Sequence, residues 1–248
     1  KVGGIYANNK YSADFIYNNL QIQNNCIMSA YKTSVKKILF LGSSCIYPKN
    51  SKNPIKENYL LSGKLEKTNE AYAIAKIAGL KMCESFNNQY KTDFRVVMPT
   101  NLYGPNDNYD DKTSHVLAAL IKKIQYAKLN KKKKITVWGN GIPKRDFLHT
   151  SDFADACIKI MSISKKKYFN LVGKTNQFVN IGYGKDISIS ELTKLICNIL
   201  DYKGEIEYDE SKPNGTYRKL IDSSKLRKIN WSPKITLAEG IKSILNNN

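Results

Sequence analysis

Apolar residues recur at helical spacing from Tyr11 to Tyr31, at Phe15, Ile16, Leu20, Ile22, Ile27 and Met28, with Ser12 placed as an N-cap. A polar Lys36-Lys37 pair separates this stretch from the unbroken apolar run Ile38–Leu41, which has the length of a buried strand. The same order repeats along the chain. A helical pattern over Glu70–Tyr90 precedes a strand at Phe94–Met98. Another over Val116–Leu129 precedes a short strand at Lys134–Trp138 and the turn Gly139-Asn140-Gly141. Helices alternating with continuous apolar strands predict an α/β fold, a parallel sheet covered by helices on both faces.

Beyond Leu171 the pattern is finer. Phe178–Gly182 reads as a strand ending on glycine, Ser188 or Ser190 opens a helix through Leu200, and Glu205–Tyr208 is a short strand. Thr236-Leu-Ala-Glu239 is a capping box opening a last helix to Leu245. The expected division is a larger unit over residues 1–170 and a smaller α/β lobe over 171–248. Residues 101–130 contribute partly to the lobe, and a late return of the chain to the first sheet is possible. Lys1-Val-Gly-Gly is neither an initiator Met nor a signal peptide. The chain reads as lacking its N-terminus, with its first residues forming the end of a strand and the loop after it.

Composition narrows the class. Among 248 residues there is no apolar run of membrane-spanning length, so no membrane partner is expected. The net charge of +19 suggests nucleic acid, but only four of the 40 basic residues are Arg, and Asn is equally over-used at 26 copies. The excess is therefore read as compositional drift with no nucleic-acid partner, and the clusters Lys131–Lys134 and Lys165–Lys167 as solvated surface where helices end. A weak pull on an anionic small substrate survives. Cys26, Cys45, Cys83, Cys157 and Cys197 include no CxxC pair and only two histidines accompany them, so neither a metal site nor a disulfide framework is expected. A reducing, cytoplasmic location is the default.

The sharpest constellation is Gly42-Ser43-Ser44-Cys45-Ile46-Tyr47-Pro48 at a strand end, followed by Tyr72-Ala-Ile-Ala-Lys76 on a helix. Tyr and Lys four apart share one helix face, and a cationic Lys76 beside the phenol is expected to lower the Tyr72 pKa. Ser43 at the carboxyl end of a strand stands where open α/β sheets bind ligands, able to hold a carbonyl oxygen that Tyr72 protonates. From the residues alone Cys45 reads as a small buried side chain after the strand and His115 as a helix-start residue. Arg145 stands out among four arginines, its fork of donors suited to a diphosphate, and Trp138 can cover a base or sugar face.

These motifs, with Arg95-Val-Val-Met-Pro-Thr-Asn-Leu-Tyr-Gly-Pro105, resemble the extended short-chain dehydrogenase/reductase family. KVGGI, ADFIY, FLGSSCIYPK, TNEAYAIAKIAG, MPTNLYGPNDN, SHV, VWGNG, DFLH and KPNGTYRKL run in the order found in its branch of two-function enzymes acting on GDP-4-keto-6-deoxy-D-mannose. The resemblance implies a Rossmann-like dinucleotide-binding unit, with its first strands missing here, and a substrate-binding lobe. The implied reaction inverts C3 and C5 and reduces C4 with NADPH, giving GDP-L-fucose. By matching position, Ser43, Tyr72 and Lys76 are similar to the reductase triad, and Cys45 and His115 to the residues that exchange protons during epimerisation. Leu41, Gly42, Ser43, Ser44, Lys76, Pro99, Thr100, Asn101, Leu102 and His115 match cofactor positions. Lys123, Trp138, Arg145 and Asn214 match contacts to the GDP-sugar, and the family implies a homodimer built through helices.

Three departures accompany the resemblance. The glycine-rich dinucleotide loop is not supplied by Gly3-Gly4, the family's KPDGT is KPNGT at Asn214, and Lys123 stands where some relatives have Arg. The alternatives are another nucleotide-sugar epimerase, dehydratase or reductase of the superfamily, or an inactive remnant. The 248-residue chain by itself is expected to bind NADPH poorly and to aggregate, keeping a pocket around Lys123, Trp138 and Arg145.

Overall fold

The computed structural model describes residues 1–111, 113–212 and 214–246. Its first element is a helix, not the strand end expected from the sequence: α1 spans Ile5–Lys10, and Tyr11 joins it directly to α2, Ser12–Lys32. Asn8 stabilises this start by donating to the carbonyls of Gly3 and Gly4. Ser12 consequently lies inside α2, and no side chain caps that helix.

The apolar runs pair as expected. β1 (Ile38–Leu41) lies parallel to β2 (Phe94–Pro99), with α3 (Glu70–Tyr90) crossing between them. All six residues of β2 are buried, and its alternation divides two cores. Phe94, Val96 and Met98 pack with Ile27 of α2 and Leu80 of α3, while Val97 faces the opposite core. Arg95 is fully buried there, held by Asp93 at 2.8 Å and by the Ile163 carbonyl at 2.9 Å. That second core is closed by α5 (Thr150–Ser162) and α6 (Lys165–Val172), whose Ala156, Ile160, Tyr168 and Val172 meet β6 (Val179–Ile181). β6 pairs parallel with β2, so the chain returns to the central sheet after residue 171. Lys165–Lys167 begin a helix rather than end one, because Ser164 caps α6 through the Lys167 amide.

From β2 the backbone stays extended through β3 (Asn101–Tyr103), which leaves the central sheet and pairs with β5 (Lys144–His149). β5 also pairs with β7 (Asp186–Ser188) and β9 (Arg218–Lys219). β4 (Lys134–Trp138) and β8 (Glu205–Asp209) form a separate parallel pair. A third core joins these strands to α4 (Val116–Leu129), α7 (Ile189–Leu200) and α9 (Leu237–Asn246) around Ile121, Leu192 and Ile241, while α8 (Ser224–Arg227) packs Leu226 into the second core. Ser188 and Glu191 form a full capping box on α7, and Thr236 and Glu239 exchange the same bonds at α9. No helix of the described residues is long and apolar enough to cross a membrane.

Candidate active site

At the carboxyl end of β1 the chain turns through Gly42, whose amide bonds the Val97 carbonyl at 2.8 Å and whose missing side chain leaves room for Met98. A Cβ there would lie 2.1 Å from the Met98 sulfur, so glycine lets the two strand ends close up. Ser43 follows in extended conformation, and its hydroxyl accepts the Cys45 N–H at 3.3 Å, fixing a single 3-10 turn over Ser44–Ile46. This presents the side chains of Ser43 and Cys45, both half-buried, at the strand end.

α3 brings Tyr72 and Lys76 to the same place. Tyr72 is half-buried, edge-on to Phe15 at 6.1 Å, with its phenol beside the Ser43 side chain. Lys76 donates to the Leu41 carbonyl at 2.9 Å, with its ammonium 5.2 Å from the Phe40 ring centroid and 5.7 Å from that of Tyr72. The expected fall in the Tyr72 pKa is not what this environment produces. Burial pushes the phenol well above its ordinary value, the neighbouring Cys45 adds to the rise, and only the Ser43 side chain opposes it. Burial also lowers the Lys76 pKa, and the Leu41 carbonyl takes one of its N–H donors. Tyr72 is thus held as a protonated phenol, the state required of a proton donor.

Cys45 has two further neighbours. Asn69, immediately before α3, donates its amide to Cys45 Sγ at 3.3 Å, and the half-buried Arg145 of β5 interacts electrostatically with Cys45 and Glu66. Neither Asn69 nor Glu66 stands out in the sequence, where TNEAY reads as a helix start. Arg145 also donates to the Lys144 carbonyl at 2.8 Å, and a Cβ added at Gly215 would lie 3.2 Å from its guanidinium. The loop carrying Asn214 thus runs close to Arg145.

The remaining polar candidates group around β4. Lys123 of α4 donates to the Thr136 carbonyl at 2.6 Å, and Trp138 at the strand end is 52% exposed. The Asn214 side-chain oxygen accepts the Asn140 N–H at 2.9 Å, so the amide in KPNGT fastens the turn after Trp138. His115 occupies the N-cap position of α4 without capping it. Its surroundings lower the imidazole pKa through desolvation, with Asp107 opposing, which favours the neutral base. Pro99–Leu102 runs from the end of β2 into β3, anchored where Thr100 Oγ1 and Asn101 Nδ2 reach the Asp146 carbonyl at 3.0 and 2.9 Å. The other histidine, His149, is structural: its Nδ1 caps α5 through the Ser151 amide at 3.2 Å.

Residues 1–182 match the model of the NAD dependent epimerase/dehydratase family. The chain is 49% identical to the GDP-L-fucose synthase of Escherichia coli, covering 98% of this chain and 76% of that one. It is 51% identical to GDP-L-fucose synthase 1 of Arabidopsis thaliana, covering 97% and 72% respectively. The chain belongs to the GDP-L-fucose synthases of the NAD-dependent epimerase/dehydratase family. Its backbone also resembles a GDP-mannoheptose C4 reductase from Campylobacter jejuni with NADP bound, at 39% identity and a TM-score of 0.88, covering 99% of this chain and 78% of that one. As in that family's α/β architecture, the Ser43, Tyr72 and Lys76 cluster lies outside the carboxyl ends of parallel strands, where ligands bind.

The residues fit a nicotinamide cofactor. Of the three N–H donors on Lys76, the Leu41 carbonyl takes one, which leaves two for ribose hydroxyls beside a strand end.

Proposed function

We propose that this protein converts GDP-4-keto-6-deoxy-D-mannose to GDP-L-fucose by NADPH-dependent epimerisation at C3 and C5 and reduction at C4. The observation that carries the reading is the meeting of Ser43, Tyr72 and Cys45 at the end of β1, with Lys76 beside the phenol and Arg145 beside the thiol. NADPH supplies the hydride when bound. Lys76 holds the ribose, Ser43 orients the C4 carbonyl oxygen, and Tyr72 delivers the proton that turns that oxygen into a hydroxyl. The Leu41–Ser44 turn, the Pro99–Leu102 strand and His115 line the cofactor.

Epimerisation uses the same ketone. The hydrogens at C3 and C5 are acidic because the C4 carbonyl accepts the electron pair as an enolate, so each centre inverts by losing a proton and regaining one on the opposite face. Cys45 and His115 perform those transfers, a thiol and an imidazole both being able to take and return protons near neutrality. Arg145 and Lys123 neutralise the diphosphate, Trp138 covers the guanine or a sugar face, and Asn214 holds the turn that shapes this end. Residues 1–170 serve chiefly as the dinucleotide-binding unit and 171–248 as the substrate lobe, with β6 returning to the first sheet.

The protein acts as a homodimer in the cytoplasm. Tyr17, Ile22 and Met28 of α2 and Ile74 of α3 are 63%, 57%, 38% and 44% exposed, apolar surface on these two helices that a second copy would cover. Elsewhere on α3, Leu80 is in the core, and Ile77 and Met82 pack against it. The five cysteines are free, as suits a reducing compartment.

The test is solvent exchange. In deuterated water the enzyme should place deuterium at C3 and C5 of the substrate. Cys45→Ser or His115→Gln should slow that entry on the order of a hundredfold. Exchange at the parent rate in both variants would remove the pair from the reaction.

A further inference from the structure

We infer that Asn69 is a positioning residue for Cys45, its carboxamide N–H holding and stabilising the sulfur that takes part in epimerisation. The inference rests on the epimerase reading above and deepens it. Asn69 occupies the N-cap position of α3, where asparagine is among the most favoured residues because its side-chain oxygen can accept a free amide of the first turn. Here it makes no such bond. Its Oδ1 is buried with no hydrogen-bond partner among the described residues, while Nδ2 donates to Cys45 Sγ at 3.3 Å. The side chain is therefore committed to the sulfur and not to the helix.

The rest of the surroundings show what that contact does. The Cys45 backbone is fixed by its N–H to Ser43 Oγ, so the Asn69 bond removes the freedom left to the side chain. The charged and titratable groups facing the sulfur are Tyr72 from α3 and Arg145 from β5, the latter also facing Glu66. Arg145 is shared between Cys45 and Glu66, and the buried phenol is kept protonated. Asn69 is left as the group whose donor N–H points at the sulfur itself. A donor there meets a lone pair of the sulfur and holds it toward one face of the substrate as it takes up or returns a proton.

Asn69→Asp separates the two roles open to this residue. Aspartate caps helices as well as asparagine does, but it lacks the N–H and sets a negative charge beside the sulfur. Alkylation of Cys45 by iodoacetamide, located by mass spectrometry and followed across pH, should slow roughly tenfold near neutrality and move its profile to higher pH. Solvent-deuterium entry into the substrate should fall by a similar factor while NADPH binding stays at the parent level. Asn69→Ala, checked for its thermal midpoint, gives the same reading if the aspartate variant does not fold. Parent rates of Cys45 alkylation and of exchange in the folded variants would overturn the inference. The outcome for the reaction itself is separate. Normal exchange in Cys45→Ser would sink the epimerase role, whereas the alkylation profile tests the Asn69 contact on its own.

Discussion

Asp146 lies on β5 beneath the strand that carries Thr100 and Asn101, and it is fully buried. Its Oδ1 accepts the Tyr183 N–H at 3.1 Å, but Oδ2 has no hydrogen-bond partner among the described residues. Burial pushes the carboxyl pKa up from 3.8 to about 7, with the amides of Tyr183 and Gly184 opposing and Asp186 adding to the rise. Between those values the folded protein holds a proton that the unfolded chain has released. Stability from this group is therefore complete below the ordinary carboxylate range and is lost as pH rises toward 7. Roughly three pKa units at 1.36 kcal/mol each make that loss about 4 kcal/mol. A carboxamide in place of the acid cannot ionise, so Asp146→Asn removes the slope, although its buried NH2 group costs about 1–3 kcal/mol if left unpaired.

Urea unfolding followed by the fluorescence of Trp231, which is buried and bonded to Asp155 at 2.8 Å, measures the effect across pH. The stability of Asp146→Asn relative to the parent should rise by about 3–4 kcal/mol between about pH 4.5 and 8. The histidines have the opposite sign. Burial lowers the pKa of His115 and of His149, so their contribution is lost as pH falls, but it is common to both proteins and cancels in the difference. Parallel pH profiles for the two proteins would refute the reasoning.

Two further outcomes follow from exposed and charged groups. Ile22→Lys together with Ile74→Lys, placing charge at exposed apolar positions of α2 and α3, should turn a dimer into a monomer in sedimentation at micromolar concentration, and a parent protein that is already monomeric would remove that interface. Arg145→Lys, which keeps the charge but loses the bidentate fork, should weaken GDP-sugar binding by roughly tenfold in KM, and an unchanged KM would place the diphosphate elsewhere.

Much of this fold was legible where local chemistry and burial agree. The Thr236 and Glu239 capping box is present in the structure bond for bond, and the strand expected at Phe94–Met98, apolar apart from Arg95, is the buried centre of the parallel sheet. β5 was not legible. Its sequence, Lys-Arg-Asp-Phe-Leu-His, places a charge at the buried Asp146 and a side chain of the site at Arg145, so neither alternation nor an apolar run marks it. α1 was hidden because its start is stabilised by Asn8 reaching back to Gly3 and Gly4, a contact that hydrophobic spacing does not encode. In the site, the i, i+4 spacing put Tyr72 and Lys76 on one helix face, whereas their position at the Ser43 turn and the direction of the Tyr72 shift were set by packing and burial, which sequence does not reveal. Nothing in the sequence marks Asn69, and only the geometry turns it to Cys45.

The central claim is that Tyr72 delivers the proton when the C4 ketone is reduced. Single-turnover loss of NADPH absorbance with GDP-4-keto-6-deoxy-D-mannose, compared between the parent enzyme and Tyr72→Phe, measures that step with a variant that keeps the ring and its edge contact with Phe15. Removing the one positioned acid should slow hydride transfer by about a hundredfold to ten-thousandfold while deuterium entry at C3 and C5 continues. Hydride transfer at the parent rate in Tyr72→Phe would contradict the account.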